Sequence, residues 1–164
     1  MEQTKPISHI IKGVIIAVVL MALNFFARKT GIVLPSPLQF LPTILLAAGV
    51  IISCTLFGSQ TGGTLAFGDI FAHGFKTTAV VTFFIAVYTF IIVKFVFPLT
   101  AHDIDVAVKA MQVQGNMMEQ EARRSAAEYA KKSWVLDVGG AIFATVITGL
   151  VGSVIGAALA KKKA

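Results

Sequence analysis

Four stretches of this sequence are apolar for about twenty residues each, and they constrain the fold more than any other feature. They run from about residue 7 to 27, 38 to 57, 75 to 97 and 134 to 160. Because an α-helix rises 1.5 Å per residue, about 20 residues cross the roughly 30 Å of hydrocarbon in a bilayer. Hydrocarbon offers no partner to backbone N–H and C=O groups, so each stretch must be helical. The sequence therefore predicts an all-α membrane protein, with four transmembrane helices in one integral membrane domain covering residues 1–164.

The composition favours lipid as the solvent of these stretches. Hydrophobic residues make up 56% of the 164 residues and charged residues only 13%, whereas soluble domains carry about 25% charged residues. The net charge of +6 comes from lysines and arginines near the ends of the apolar stretches, where lipid headgroups lie. The sequence has no basic stripe with interleaved aromatic residues, which argues against nucleic acid as a partner. The predicted surroundings are the lipid bilayer.

The longest polar segment, residues 99–133, separates the third stretch from the fourth. Apolar residues recur at helical spacing in its first half: Ile104, Ala107, Val108 and Met111. Gly115 and Asn116 then break the pattern, and Asn116 followed by Glu119 is typical of a capping box that opens a second helix. We predict an amphipathic helical hairpin here, lying against the membrane or a partner. A solvated spacer is the alternative.

The segment that precedes the third stretch is aromatic. Phe67, Phe71 and Phe75 recur at a spacing of four residues, which places them on one helix face. We predict a short interfacial helix, capped by Asp69, that leads directly into the third span.

The fourth stretch carries the most specific pattern, a row of small residues spaced by four. This predicted helix-packing face consists of Gly140, Ala144, Thr148, Gly152, Gly156 and Ala160. A second small row lies beside it: Gly149, Ser153 and Ala157. Small side chains let another helix backbone approach closely, and such packing drives helix association in lipid. The first interpretation is packing against the other spans. Two small rows also allow contact with a partner membrane protein or a second copy of the chain.

Few charged residues fall inside the apolar stretches. Lys94 lies four residues before Pro98, and Asp137 lies three residues after Trp134. Since the polar segment returns the chain to the side it left, we predict that Lys94 and Asp137 form an intramembrane ion pair. We expect Lys12 to extend along its helix to the membrane surface. Proton-coupled transporters need an ionisable group near the membrane centre, and this pattern supplies none.

Residues for catalysis or metal binding are sparse. Asp69 and His73 share a helix face, and His102 lies next to Asp103 and near Asp105. A metal site needs three or four ligands, and the histidines follow no known ligand spacing. The sequence also lacks phosphate-binding loops, nucleophile elbows and zinc-protease signatures. We therefore predict no catalytic residues, no metal and no cofactor, and a protein that is not an enzyme.

Three segments carry a resemblance that extends over nearly the whole chain. Phe67–Phe75 leads into the third stretch, Phe97 and Pro98 close it, and Gly149–Lys163 ends in three lysines. In length, layout and these segments the chain resembles a family of small bacterial inner-membrane proteins catalogued as a domain of unknown function. The resemblance implies four spans and a bacterial inner-membrane location, and no activity. The fourth stretch departs from the family pattern in being richer in small residues.

These patterns favour a non-enzymatic membrane subunit or scaffold that packs against a partner membrane protein or itself. The alternative is a small transporter or channel formed by oligomerisation. Basic residues are nearly balanced between the two sides of the membrane. The first span and the C-terminal lysines favour cytoplasmic termini in a multi-pass protein.

Overall fold

A computed structural model of the protein describes residues 7–30, 40–62, 64–115 and 117–162. Within these ranges the chain forms helices and no strand. The helices are α1 (His9–Thr30), α2 (Leu41–Gln60), α3 (Phe67–Ile91), α4 (Ala101–Gly115) and α5 (Glu119–Lys162). The all-α prediction is confirmed for the described part of the chain.

Four helical segments are long and apolar enough to cross a bilayer: His9–Thr30, Leu41–Gln60, Phe67–Val96 and Glu119–Lys161. Many of their large apolar side chains point outward; Phe26, Phe83 and Phe143 are 65%, 64% and 70% exposed. Continuous exposure of this kind is unusual in water, but it is the expected surface of a helix whose solvent is lipid. The helices are therefore compatible with a multi-pass membrane protein, as predicted.

The third apolar helix is longer than predicted at its start. α3 begins at Phe67 and runs without interruption into the span, so the aromatic segment is part of α3 rather than a separate short helix. Phe67, Phe71 and Phe75 stack successively along one face, with ring centroids 6.3 and 6.2 Å apart. Asp69 lies inside the first turn and not before it, where its charge stabilises the positive end of the helix dipole.

The other end of α3 is set by Pro98. Ile92–Val96, which follow α3 directly, form a π-helical turn, and the Phe97 N–H donates to the Ile92 carbonyl over 2.7 Å. Because a proline ring excludes the preceding residue from the α conformation, Phe97 is not helical and the helical segment ends at Val96.

α5 joins two segments that the sequence analysis treated apart. It spans 44 residues from Glu119 to Lys162, whereas about 20 residues suffice to cross hydrocarbon. The second half of the polar segment and the fourth span are therefore one helix. No glycine or proline interrupts the chain between Glu119 and Val138, so nothing breaks the helix there. Asn116, on which the capping-box prediction depends, lies outside the described residues.

The chain divides into two compact units. The first unit comprises Met1–Ile85 and Ala141–Ala164, and the second comprises Ala86–Gly140. The assignment of residues 1–164 to a single membrane domain stays a prediction.

Small side chains form the centre of the first unit. Ala17, Val50, Cys54, Val81 and Ala157 are all fully buried. In the second unit Val108 of α4 packs against Ala122 and Ala126 of α5. Each unit therefore has an apolar core of its own.

Candidate functional site

The C-terminal half of the predicted helix-packing face lies against α2. A Cβ placed on Gly156 would be 2.7 Å from the Cys54 Cβ, and one placed on Gly58 would be 2.9 Å from the Ala160 Cβ. A Cβ on Gly152 would be 3.2 Å from a carbonyl oxygen of α2. Real Cβ atoms do not approach other atoms as closely as the first two distances, so glycine at Gly156 and Gly58 is required for the two backbones to lie together.

The second small row of α5 lies against α3. A Cβ on Gly149 would overlap the Thr78 side chain, and one on Gly74 would be 2.8 Å from the Ser153 Oγ. Ala157, the next member of the row, is completely buried. The two small rows thus have two neighbours within the first unit, α2 and α3.

The N-terminal half of the face is open. A Cβ on Gly140 would meet no described atom within 4 Å, Ala144 is exposed, and Thr148 is half-buried. The structure therefore divides the face between an internally packed half and an open half. Its use by a partner stays a prediction.

Lys94 has aromatic partners in the second unit. Its ammonium lies 5.4 Å from the centroid of the Phe90 ring and 5.1 Å from that of Trp134. The two rings meet edge to face, 5.6 Å apart, and such rings attract a cation through their negative faces. Asp137 lies one helical turn from Trp134, so its pairing with Lys94 stays a prediction.

Lys12 does not extend to the membrane surface, and that expectation is wrong. Its side chain is only 7% exposed. The Nζ atom donates to the Ser53 carbonyl over 3.2 Å and lies 3.3 Å from the His73 Nε2. The neighbouring residue, Gly13, packs so closely on α3 that a Cβ there would be 2.8 Å from the Val80 side chain. This close approach places Lys12 between helices instead of in lipid.

His73 is held by rings on two sides. It stacks on Phe57 with centroids 3.9 Å apart and planes 6° from parallel, and it meets His9 edge-on at 6.0 Å. Where the Lys12 ammonium donates to Nε2, the ring proton of a neutral His73 must lie on Nδ1. Lys12 therefore sets the tautomer of His73.

Ser53, Thr77 and Cys54 form a buried polar layer next to Lys12 and His73. The Ser53 and Thr77 hydroxyls are 3.2 Å apart, and Thr77 also donates to the His73 carbonyl over 2.9 Å. Cys54 lies beside them, with its thiol 3.7 Å from the Ile70 carbonyl. Ser53, Thr77 and Cys54 are at most 2% exposed, so this layer is closed.

A cavity of about 430 Å³ opens where α1 begins, α2 ends and α3 begins. Its polar lining consists of Ser8, His9, Asp69, His73 and Lys76. Its apolar lining consists of Ile7, Phe57, Leu65 and Ala72. His73 lines the cavity with one part of its ring and contacts Lys12 with Nε2, so it connects the opening to the buried lysine.

The cavity joins Asp69 and His73 as their spacing on α3 predicted, but the described residues hold no group of three or more histidine, cysteine or acidic side chains placed to bind a metal. Sequence reasoning missed His9, Lys12 and Phe57 as neighbours of His73. The one available signal was an ionisable residue, Lys12, inside an apolar stretch.

Residues 11–162 match a family described as a protein of unknown function (DUF4199). The chain belongs to this family. The resemblance to a family of unknown function is thereby confirmed over nearly the whole chain. No curated protein and no solved structure matches the sequence.

The part that matches DUF4199 contains most of the geometry described above. It includes Lys12, His73 and both small rows of α5. Three of the residues that line the cavity, Ile7, Ser8 and His9, precede the matched region. The cavity is therefore lined both by residues that precede the matched region and by residues within it.

Proposed function

We propose that this protein is a non-enzymatic integral membrane subunit or scaffold of the bacterial inner membrane, with cytoplasmic termini. It packs against a partner membrane protein or a second copy of itself. The supporting observation is the division of the small row on α5. Its C-terminal half, Gly152, Gly156 and Ala160, fits α2 closely, whereas a Cβ on Gly140 would meet no described atom within 4 Å and Ala144 is exposed.

Physical chemistry makes this division relevant to assembly. Small residues in a membrane helix allow close backbone approach, which gives van der Waals contact that lipid tails cannot match. Around the open half, Phe143 and Ile147 are exposed at 70% and 48%. A second helix on this face would cover both side chains while its backbone approached the small residues.

The closed packing beyond the cavity also supports a scaffold. Ala17, Val50, Cys54 and Val81 have no exposed surface, so no water molecule contacts these four side chains. The scaffold proposal requires no water-filled path.

A small transporter or channel is the second candidate, and one observation favours it. Lys12 and His73 are ionisable groups inside apolar helices, where such groups often mark a route for ions or protons. The cavity that reaches His73 lies at the helix ends, however, and the hydroxyls of Ser53 and Thr77 are buried and hydrogen-bonded to each other.

Co-purification tests the scaffold. The full-length protein is extracted in a mild detergent, and mass spectrometry identifies what elutes with it. We expect a stable partner or a dimer, and we expect Gly140→Leu to release it while leaving the melting temperature unchanged. A lone monomer, or an assembly unaffected by Gly140→Leu and Ala144→Leu, contradicts the proposal.

The single cysteine separates the two candidates without any packing change. Cys54 lies beside Ser53 and Thr77 and is fully buried. In intact membranes a scaffold leaves this thiol unreactive toward a water-soluble maleimide, whereas a water-filled route exposes it. Protein unfolded in detergent provides the control for complete labelling.

A further inference from the structure

The cavity at the ends of α1, α2 and α3 has both polar and apolar lining residues. Lys76, His9 and His73 provide hydrogen-bonding groups, whereas Phe57 and Leu65 provide apolar surface. Its volume of about 430 Å³ falls within the usual 300–1,000 Å³ of small-molecule sites. A ligand that fits this lining has one ionic or polar end and one apolar end.

Two lysines and one carboxylate lie in the lining of the cavity or directly behind it. Lys76 lines the cavity and Lys12 lies directly behind His73, whereas Asp69 is the only carboxylate among the described lining residues. Neither Lys12 nor Lys76 takes part in the ion pairs found among the described residues, which join Arg123 and Arg124 to acids of the second unit. A buried lysine without an acidic partner raises the potential in front of it.

Two helix ends add to this potential. α1 and α3 both begin at the cavity, and a helix N-terminus carries about half a positive charge. The Lys12 ammonium beside His73 Nε2 also fixes the ring proton on Nδ1, so that a neutral His73 keeps one donor. These features all favour an anionic group.

We infer that this cavity binds the anionic headgroup of an amphipathic molecule, a phosphate or a carboxylate on an apolar chain. The anion lies beside Lys76 and the two histidines, and the chain lies along Phe57 and Leu65. Lys12 acts as a positioning residue, because its contact with the ligand passes through His73. This inference is independent of the scaffold proposal, since it requires no protein partner.

Calorimetric titration of the full-length protein in a neutral detergent tests the site. The probes are dihexanoyl phosphatidic acid, dihexanoyl phosphatidylcholine and inorganic phosphate. We expect phosphatidic acid to bind about tenfold or more tightly than phosphatidylcholine, because the choline group cancels the charge that the lysines attract. Equal affinity for the two lipids, or no binding of either, overturns the inference.

Three variants test the residues involved. Lys76→Gln removes an exposed side chain's charge and is expected to weaken phosphatidic acid binding about fivefold. Lys131→Gln makes the same change on an exposed lysine of the second unit and should leave binding unchanged. Asp69→Asn removes the opposing carboxylate and should strengthen binding about twofold to fivefold. If Lys76→Gln and Lys131→Gln weaken binding equally, the cavity is not the site.

The source of the anion follows from the third probe. Inorganic phosphate that competes at the affinity of the lipid identifies a free anion as the ligand and overturns the amphipathic part of the inference. Phosphate that competes only weakly supports a lipid-like ligand. Ala72→Trp fills the apolar side of the opening and should abolish lipid binding while the melting temperature of the protein is retained. Unchanged binding by a folded Ala72→Trp variant overturns the placement.

Discussion

The two units of this protein are built from helices with different packing chemistry. In the first unit, glycine, serine and alanine of α5 lie directly against α2 and α3, and large apolar side chains point outward. In the second unit, α4 and α5 bury a few apolar residues, and charged residues pair on the surface: Arg123 with Asp105 and Glu119, and Arg124 with Glu128.

The difference reflects how lipid and water each contribute to the packing of helices. Lipid tails are as apolar as leucine, so helices in a bilayer gain stability only from close contact and hydrogen bonds. Water favours burial of even a few apolar side chains and screens exposed ion pairs. In the first unit, small residues of α5 therefore allow close helix contact, whereas α4 and the start of α5 bury a few apolar side chains and carry exposed ion pairs.

The largest expected effect comes from adding volume to the first unit. Gly149→Leu places a side chain where Thr78 already lies, and we expect a loss of about 3 kcal/mol in the free energy of unfolding. Titration with sodium dodecyl sulfate measures it. Gly139→Leu is the matched control, because a Cβ there meets open space. Equal losses for the two variants would show that close contact does not distinguish the first unit.

A smaller effect is expected from removing volume in the second unit. Val108 is 3% exposed and contacts Ala122 and Ala126. Val108→Ala should destabilise the packing of α4 by about 2 kcal/mol, because it leaves a cavity the neighbours only partly fill. Faster hydrogen exchange of the α4 amides measures this loss. Val106→Ala, at an exposed position, should leave the exchange unchanged.

The smallest effect is expected from the exposed ion pairs. Arg123 donates through Nε to Glu119 over 3.0 Å and lies 3.5 Å from Asp105, with more than half of each side chain exposed. Arg123→Gln should cost about 0.5 kcal/mol or less, and less still at high salt. Melting curves at two salt concentrations give this value. A cost that does not fall with added salt would mean that packing, rather than charge, explains the role of Arg123.

The approximate positions of the apolar helices were predictable because the physics is local. Twenty apolar residues in a row permit only a helix in hydrocarbon, and Pro98 ends α3 wherever the helix packs. The beginning of α3 was harder to predict. The spacing of Phe67, Phe71 and Phe75 predicted a separate short helix, but these residues belong to α3 itself. Gly68 and Gly74 also lie inside α3, where other contacts outweigh their low helix propensity.

The candidate site was only partly predictable. Spacing on one helix brought Asp69 and His73 together, since four residues make about one turn. His9, Lys12 and Phe57 come from other helices, and no periodicity states which helix faces which. Lys94 illustrates the same limit: no sequence pattern indicated that its ammonium lies over Phe90 and Trp134.

The sequence by itself determined that this chain forms long apolar helices and that α5 has two small rows, because both follow from hydrophobicity and helical spacing along one segment. Only the tertiary structure decided that those rows face α2 and α3 and that the N-terminal half of the helix-packing face is open. It also decided that the Lys12 side chain points inward to His73. These outcomes depend on contacts between residues far apart in the chain. Such contacts form where backbones can approach most closely, and that is a property of several helices together.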